Sequence, residues 1–227
     1  MKVKPLVAVD CIIFGFDPKE GILKLLLINS EFKQGGVELG NWSLMTGFLE
    51  KEETIDDAAN RVLHSLTGLT NIYMEQLHVF STIFRFQPRT IAASYYALIN
   101  INSDHEDLIH KYSAHWVKLS KRPKLPFDHD KMVDRAVRRL RRRAITEPIG
   151  FNLLPEKFTM RQLQALYEEI LGEQLDKRNF IKKISSLNIL EKLREKEKES
   201  SRKGSYLYKF NLKRYQKKKE KGFVFAV

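Results

Sequence analysis

Residues 47–69, GFLEKEETIDDAANRVLHSLTGL, constrain the chain more than any other stretch, because a loop, a helix start and a helix end follow one another within it. Gly47 opens the loop. Glu50, Glu52 and Glu53 fill the loop, and Asp56 and Asp57 stand in the first helical turn, where carboxylates complement the positive end of the helix dipole. An amphipathic run follows, and Gly68 closes it.

The flanking segments supply strands. Apolar runs at 6–16 and 22–28, separated by FDPKEG, read as two strands joined at a turn that Pro18 and Gly21 enforce. Residues 42–45 form a short strand feeding the loop. Residues 76–86 and 91–101, rich in β-branched and aromatic side chains, read as two further strands joined by QPRT, and 115–119 as another. Asp10 is out of place in the first run: it either faces solvent or is paired, since an unpaired buried carboxylate is costly, and its functional reading is an acceptor at a ligand pocket. Arg89, in the QPRT turn, either grips a phosphate or carboxylate bidentately or is an ordinary turn residue.

The central stretch resembles the Nudix box, G-x5-E-x7-R-E-U-x-E-E-x-G-U with U aliphatic. Gly47, Glu53, Arg61, Leu63, Gly68 and Leu69 match at the required spacing, whereas Val62, Ser65 and Leu66 stand where the family carries glutamates. In Nudix hydrolases those glutamates bring oxygen ligands to magnesium beside a pyrophosphate. Valine and leucine bring none, and serine only a neutral hydroxyl. The resemblance therefore implies a Nudix α/β sandwich without catalytic residues, metal or cofactor. The alternative, an active Nudix pyrophosphohydrolase with a basic accessory domain, requires a metal site rebuilt from Glu50, Glu53 and Asp57.

A chain of 227 residues fits one such domain and a small partner. The single cysteine, Cys11, excludes a disulfide within the chain, no run of about 18 apolar residues could span a membrane, and the N-terminus lacks a signal-peptide cleavage pattern, so a cytoplasmic location is expected. The net charge of +12 is unevenly spread: residues 1–120 carry 11 basic and 14 acidic side chains, residues 121–150 carry 10 and 4, and residues 151–227 carry 19 and 10. The basic half is either a phosphate-binding surface or a solubilising one.

A helix is expected over 130–143, with Met132, Val133, Ala136, Val137 and Leu140 on its apolar face and six arginines among residues 135–143. Those arginines suit DNA backbone, a dimer interface or the helix dipole equally well. Pro148, Gly150 and Pro155 mark a linker. Thr159 and Gln162 then form a capping-box pair, and Leu163, Leu166, Tyr167, Ile170 and Leu171 repeat at helical spacing up to Gly172. After a short turn Asp176 caps a second helix whose apolar face is Phe180, Ile181, Ile184 and Leu187. Its other face carries Arg178, Asn179, Lys182, Ser185 and Ser186, with Lys183 on the flank. This is a helix-turn-helix whose second helix suits a major groove, with Arg178 and Asn179 able to read bases and Lys182, Lys183 and Ser186 able to hold phosphates. Two strands around the tip SSRKGS form a wing, with Arg202 and Lys203 positioned to reach backbone or minor groove. An RNA-binding reading is weaker, since no aromatic platform punctuates the basic face. The tail KRYQKKKEKG reads as solvated charge.

A degenerate Nudix domain (1–146) joined through EPIGFNLLPEKFT to a winged helix (147–227) containing LYEEILGEQLDKRNFIKKI resembles the Nudix-related transcriptional regulators of the NrtR type. The resemblance implies a homodimeric bacterial repressor that binds a palindromic double-stranded DNA operator, with no membrane attachment. Its Nudix domain would sense a small-molecule effector, ADP-ribose or a pentose sugar, and control NAD-related or sugar-catabolic genes. The effector-pocket candidates are Asp10, Trp42, Glu50, Arg61 and Arg89.

Overall fold

The apolar run near the N-terminus becomes strand β1 (Leu6–Asp17), buried without interruption from Ala8 to Phe16. A strand covered on both faces reads as continuous hydrophobicity instead of alternation. The computed structural model describes residues 4–29, 33–34, 37–38, 42–81, 89–101, 111–198 and 204–225. The chain divides into two compact units, Met1–Gly15 with Lys24–Val137, and Phe16–Leu23 with Arg138–Val227.

In the first unit β2 (Ile22–Asn29) lies beside β1. A small ribbon of β3 (Lys33–Gln34) and β4 (Val37–Glu38) leads to β5 (Trp42–Ser43) and β6 (Met45–Phe48), and the sheet is completed by β7 (Glu75–Phe80), β8 (Thr90–Asn100) and β9 (Ala114–Lys118). The main sheet runs β5-β2-β1-β8-β7, with β6 on β1 and β9 on β2. The expected strand over 76–86 is seen as Glu75–Phe80, and its later part lies outside the described residues.

Helix α1 (Ile55–Thr67) begins at Thr54, whose hydroxyl accepts from Asp57 N while the Asp57 carboxylate accepts from Thr54 N, and ends at Gly68 in the left-handed conformation. It buries Ala58, Ala59, Val62 and Leu63 in a core shared with Ile13, Leu26, Met45 and Tyr95. Gly47 makes that packing possible: a Cβ there would lie 2.4 Å from Val62 Cγ2.

Helix α2 (His129–Thr146) runs longer than the expected 130–143 and buries Met132, Val133, Ala136, Leu140 and Ala144. The segment read as a linker is packed: a 3-10 turn at Ile149–Leu153 buries Ile149 and Leu153, and Phe151 stacks on Phe210 at 4.5 Å between centroids. Proline and glycine interrupt the helix there, yet the apolar side chains between them have a core to join. Helices α3 (Met160–Leu171) and α4 (Lys177–Ser186) follow, then a sheet in which β10 (Phe158–Thr159) and β11 (Leu190–Glu197) flank β12 (Ser205–Phe210). The tail, read from the sequence as solvated charge, contains a further helix, α5 (Leu212–Lys219), capped by Asn211. Among the described residues no helix is long and apolar enough to cross a membrane.

Candidate functional site

In the first unit the loop and helix of residues 47–69 are held by Arg61. Its Nε donates to Glu53 Oε2 at 2.8 Å, its Nη2 to Glu53 Oε1 at 2.5 Å and to Phe48 O at 2.8 Å, and its Nη1 lies 3.3 Å from the exposed Glu50. This bidentate pair holds the Glu53 carboxyl well down, to about 2 from an ordinary 4.5. Asp57 is lowered by its bonds to Thr54, and Asp56 accepts from the Tyr95 hydroxyl. Glu50, Glu53, Asp56 and Asp57 are thus engaged by their own chain. Val62 is 2% exposed, Leu66 packs on the core, and the Ser65 hydroxyl donates back to Val62 O at 3.2 Å. A magnesium ion does not fit this set of residues. Among the described residues no three His, Cys, Asp or Glu side chains are grouped to hold a metal ion.

Asp10 is fully buried and paired. Thr46 Oγ1 donates to its Oδ1 at 2.6 Å, and His129 Nε2 lies 3.4 Å from the same oxygen. The Leu44 N–H donates to His129 Nδ1 at 3.4 Å. The carboxylate that looked misplaced in an apolar strand thereby ties β1 and β6 to the start of α2, and partners of this kind offset the cost of its burial. His129 and Thr46 carry no spacing signal relative to Asp10, being 119 and 36 residues away, so sequence reasoning missed them. Trp42 is half-buried and meets His115 edge-on at 5.3 Å between centroids. Arg89 is exposed, and its carbonyl accepts from Leu6 N at 2.8 Å while Leu49 N donates to Val7 O at 2.9 Å. The backbone therefore brings Arg89 and the loop carrying Glu50, which Arg61 of α1 reaches, to the same end of β1. Asp10 and Trp42 lie further along the sheet, Asp10 paired with Thr46 and Trp42 with Asn29.

In the second unit Thr159 and Gln162 cap α3 reciprocally, and Gly172 ends it in the left-handed conformation. The turn is fastened to α3 by Glu168, which accepts from Leu175 N at 3.0 Å, and by Gln164, which donates to Leu175 O at 3.0 Å. Asp176 then caps α4, accepting from Asn179 N at 2.8 Å. Phe180 and Ile184 are buried, Phe180 against Tyr167 at 5.5 Å, so Arg178, Asn179, Lys182, Lys183 and Ser186 all stand on exposed surface. The Ser186 hydroxyl donates to Lys183 O at 2.7 Å. Arg202 and Lys203 lie outside the described residues. Among the arginines of α2, Arg141 donates to Ile170 O at 2.9 Å, near the end of α3, and Arg143 pairs with Glu147 at 2.8 Å.

Comparison with known proteins agrees with this architecture. The family described as the NrtR DNA-binding winged helix domain matches residues 150–210. A protein of Acinetobacter baylyi, named ADPR responsive transcriptional repressor NtrR, is 32% identical over 218 residues, spanning 93% of this chain and 84% of that protein. Shewanella oneidensis NrtR complexed with a 27mer DNA superposes with a TM-score of 0.73 at 24% identity, over 90% of this chain and 93% of that one. The NUDIX domain of the same Shewanella protein, complexed with ADP ribose, superposes with a TM-score of 0.50 at 24% identity, over 62% of this chain and 90% of that domain.

Proposed function

The chain belongs to the NrtR family of Nudix-related transcriptional regulators, and from that premise we propose that it is an effector-controlled DNA-binding repressor whose Nudix domain senses and does not hydrolyse. The observation that carries this reading is the exposed row of Arg178, Asn179, Lys182 and Lys183 on α4, a helix held rigidly by Asp176, Phe180 and Ile184. Arginine and asparagine on such a helix discriminate guanine and adenine in a major groove, and the lysines bind phosphate. Residues 147–227 form the DNA-binding part and residues 1–146 the sensing part. The protein acts on genomic DNA in the cytoplasm.

The effector is a diphosphate sugar of the ADP-ribose kind in preference to a free pentose. The Acinetobacter relative is named for its response to ADP-ribose, and the Shewanella domain was crystallised with it. Trp42, Glu50, Arg61 and Arg89 supply the contacts. Asp10, having no exposed surface, positions β6 and α2 through Thr46 and His129. As a homodimer on a palindrome, the protein needs its two α4 helices about 34 Å apart, in successive major grooves. A ligand that favours another spacing weakens DNA binding, and DNA weakens ligand binding by the same factor. The regulated genes follow from the effector: NAD-related for ADP-ribose, sugar-catabolic for a pentose.

The test is a gel shift on DNA upstream of the protein's own gene and neighbouring operons, at two salt concentrations, with ADP-ribose and with pentoses. Specific binding released by ADP-ribose is expected. Weak binding to every fragment, erased by salt, would overturn the regulator reading, and magnesium-dependent turnover of ADP-ribose would overturn the sensing one.

A further inference from the structure

We propose that α5, the helix beyond the matched winged-helix domain, is a second DNA-backbone contact that extends the footprint of α4 onto flanking phosphates. The inference rests on the DNA-binding reading above.

Helix α5 is built onto the C-terminal end of α4. Lys218 Nζ donates to Leu187 O, the C-cap residue of α4, at 2.8 Å. Arg214 Nη1 donates to Asn188 Oδ1 at 3.0 Å and to Leu190 O at 3.3 Å. Tyr215 sits between Phe210 and Phe223, with ring centroids 5.8 and 6.4 Å away. Arg214, Tyr215 and Lys218 therefore define the inward side of the helix. At about 100° per residue Lys213 and Lys217 fall on another side, one turn apart, and both are exposed, as are Lys219 and Lys221.

None of these four lysines makes an ion pair among the described residues, although other lysines of this unit do: Lys157 pairs with Glu195 at 2.7 Å, and Lys209 with Glu156. Helix stability explains Lys217 and Lys219, which complement the dipole in the last turn, but not Lys213, which is in the first turn, where the dipole disfavours a cation, and which Lys217 repels at i,i+4 spacing. A row of phosphates is the partner that converts this repulsion into binding. Lys213 and Lys217 are separated by about 6 Å along the helix axis. A helix already fastened to the end of α4 carries no ordering cost when α4 enters its groove.

The experiment measures affinity of the full-length protein for the duplex upstream of its own gene, and for an unrelated duplex, by fluorescence anisotropy across a salt series. The triple variant Lys213→Gln, Lys217→Gln, Lys221→Gln should weaken binding at least roughly tenfold on both duplexes and flatten the slope of log affinity against log salt by about 3 for each bound protomer. Arginine at the same three positions should restore the slope. Ethylation interference with the wild-type protein should mark phosphates outside the α4 groove, and this readout does not depend on any variant folding. An unchanged slope in the glutamine variant, or interference confined to the α4 groove, overturns the proposal while leaving the regulator reading intact. Failure of the wild-type protein to bind either duplex overturns both.

Discussion

Helices α1 and α4 are built alike and used differently. Each begins at a side-chain cap, Thr54 or Asp176, and each buries one apolar face, Val62 and Leu63 in one, Phe180 and Ile184 in the other. Around α1 the polar groups are satisfied within the chain: Arg61 grips Glu53 and reaches Glu50, Asp57 completes the cap, and Asp56 accepts from Tyr95. On α4 the basic side chains Arg178, Lys182 and Lys183 form no ion pair among the described residues. A motif whose polar groups bind one another serves the fold, and one whose polar groups are left to solvent is available to a partner. The Nudix resemblance lies in the first, whereas the winged-helix family match over residues 150–210 and the functional reading rest on the second.

The strongest way to break that contrast is to restore a family glutamate. Val62→Glu would place a carboxylate at a site 2% exposed and pressed against Gly47, so it should destabilise the protein by about 3 kcal/mol, read by chemical denaturation, without creating magnesium binding. A variant as stable as the wild type and able to bind magnesium would mean that the box retains a latent metal site. On the other helix, Arg178→Ala should cost about 2 kcal/mol of specific affinity while non-specific binding falls much less. Equal loss on operator and random DNA would reduce Arg178 to a phosphate contact.

A smaller effect sharpens the reading of α1. Because Arg61 lowers the folded value of Glu53 from 4.5 to about 2, the contribution of this pair to stability is complete above about pH 4.5 and is lost as pH falls through about 2. The stability gap between wild type and Arg61→Gln should therefore narrow across that window. A gap that does not change with pH would show that the pair contributes through packing alone. The smallest effect is expected at Ser186, whose hydroxyl already donates to Lys183 O. Ser186→Ala should change operator affinity by less than about 0.5 kcal/mol, and a larger loss in the anisotropy assay would mean that the hydroxyl turns to a phosphate on binding.

Much of this was legible because its causes are local. The acidic start of α1, the capping pair Thr159/Gln162, the glycines ending α1 and α3, and the apolar face of α4 all follow from residues a few positions apart, where backbone geometry brings them together regardless of context. The linker reading failed at residues 149–154 because Pro148 and Gly150 signal where a helix stops but not whether the chain beyond finds a core. The basic tail was read in part: Lys213, Lys217, Lys219 and Lys221 are exposed, while Arg214 and Lys218 meet carbonyl and amide oxygens some 24 to 31 residues earlier.

By itself the sequence determined the two-part architecture and the residue types that stand at the metal positions of the box, since spacing and residue type settle these without reference to distant partners. Only the tertiary structure decided that Asp10 is a buried partner of Thr46 and His129, that Arg61 is committed to the loop acids, and that α5 is seated on the end of α4. Those outcomes depend on groups far apart in the chain arriving within hydrogen-bonding distance, and burial then gives each polar group a strong preference for whatever partner the fold has brought to it.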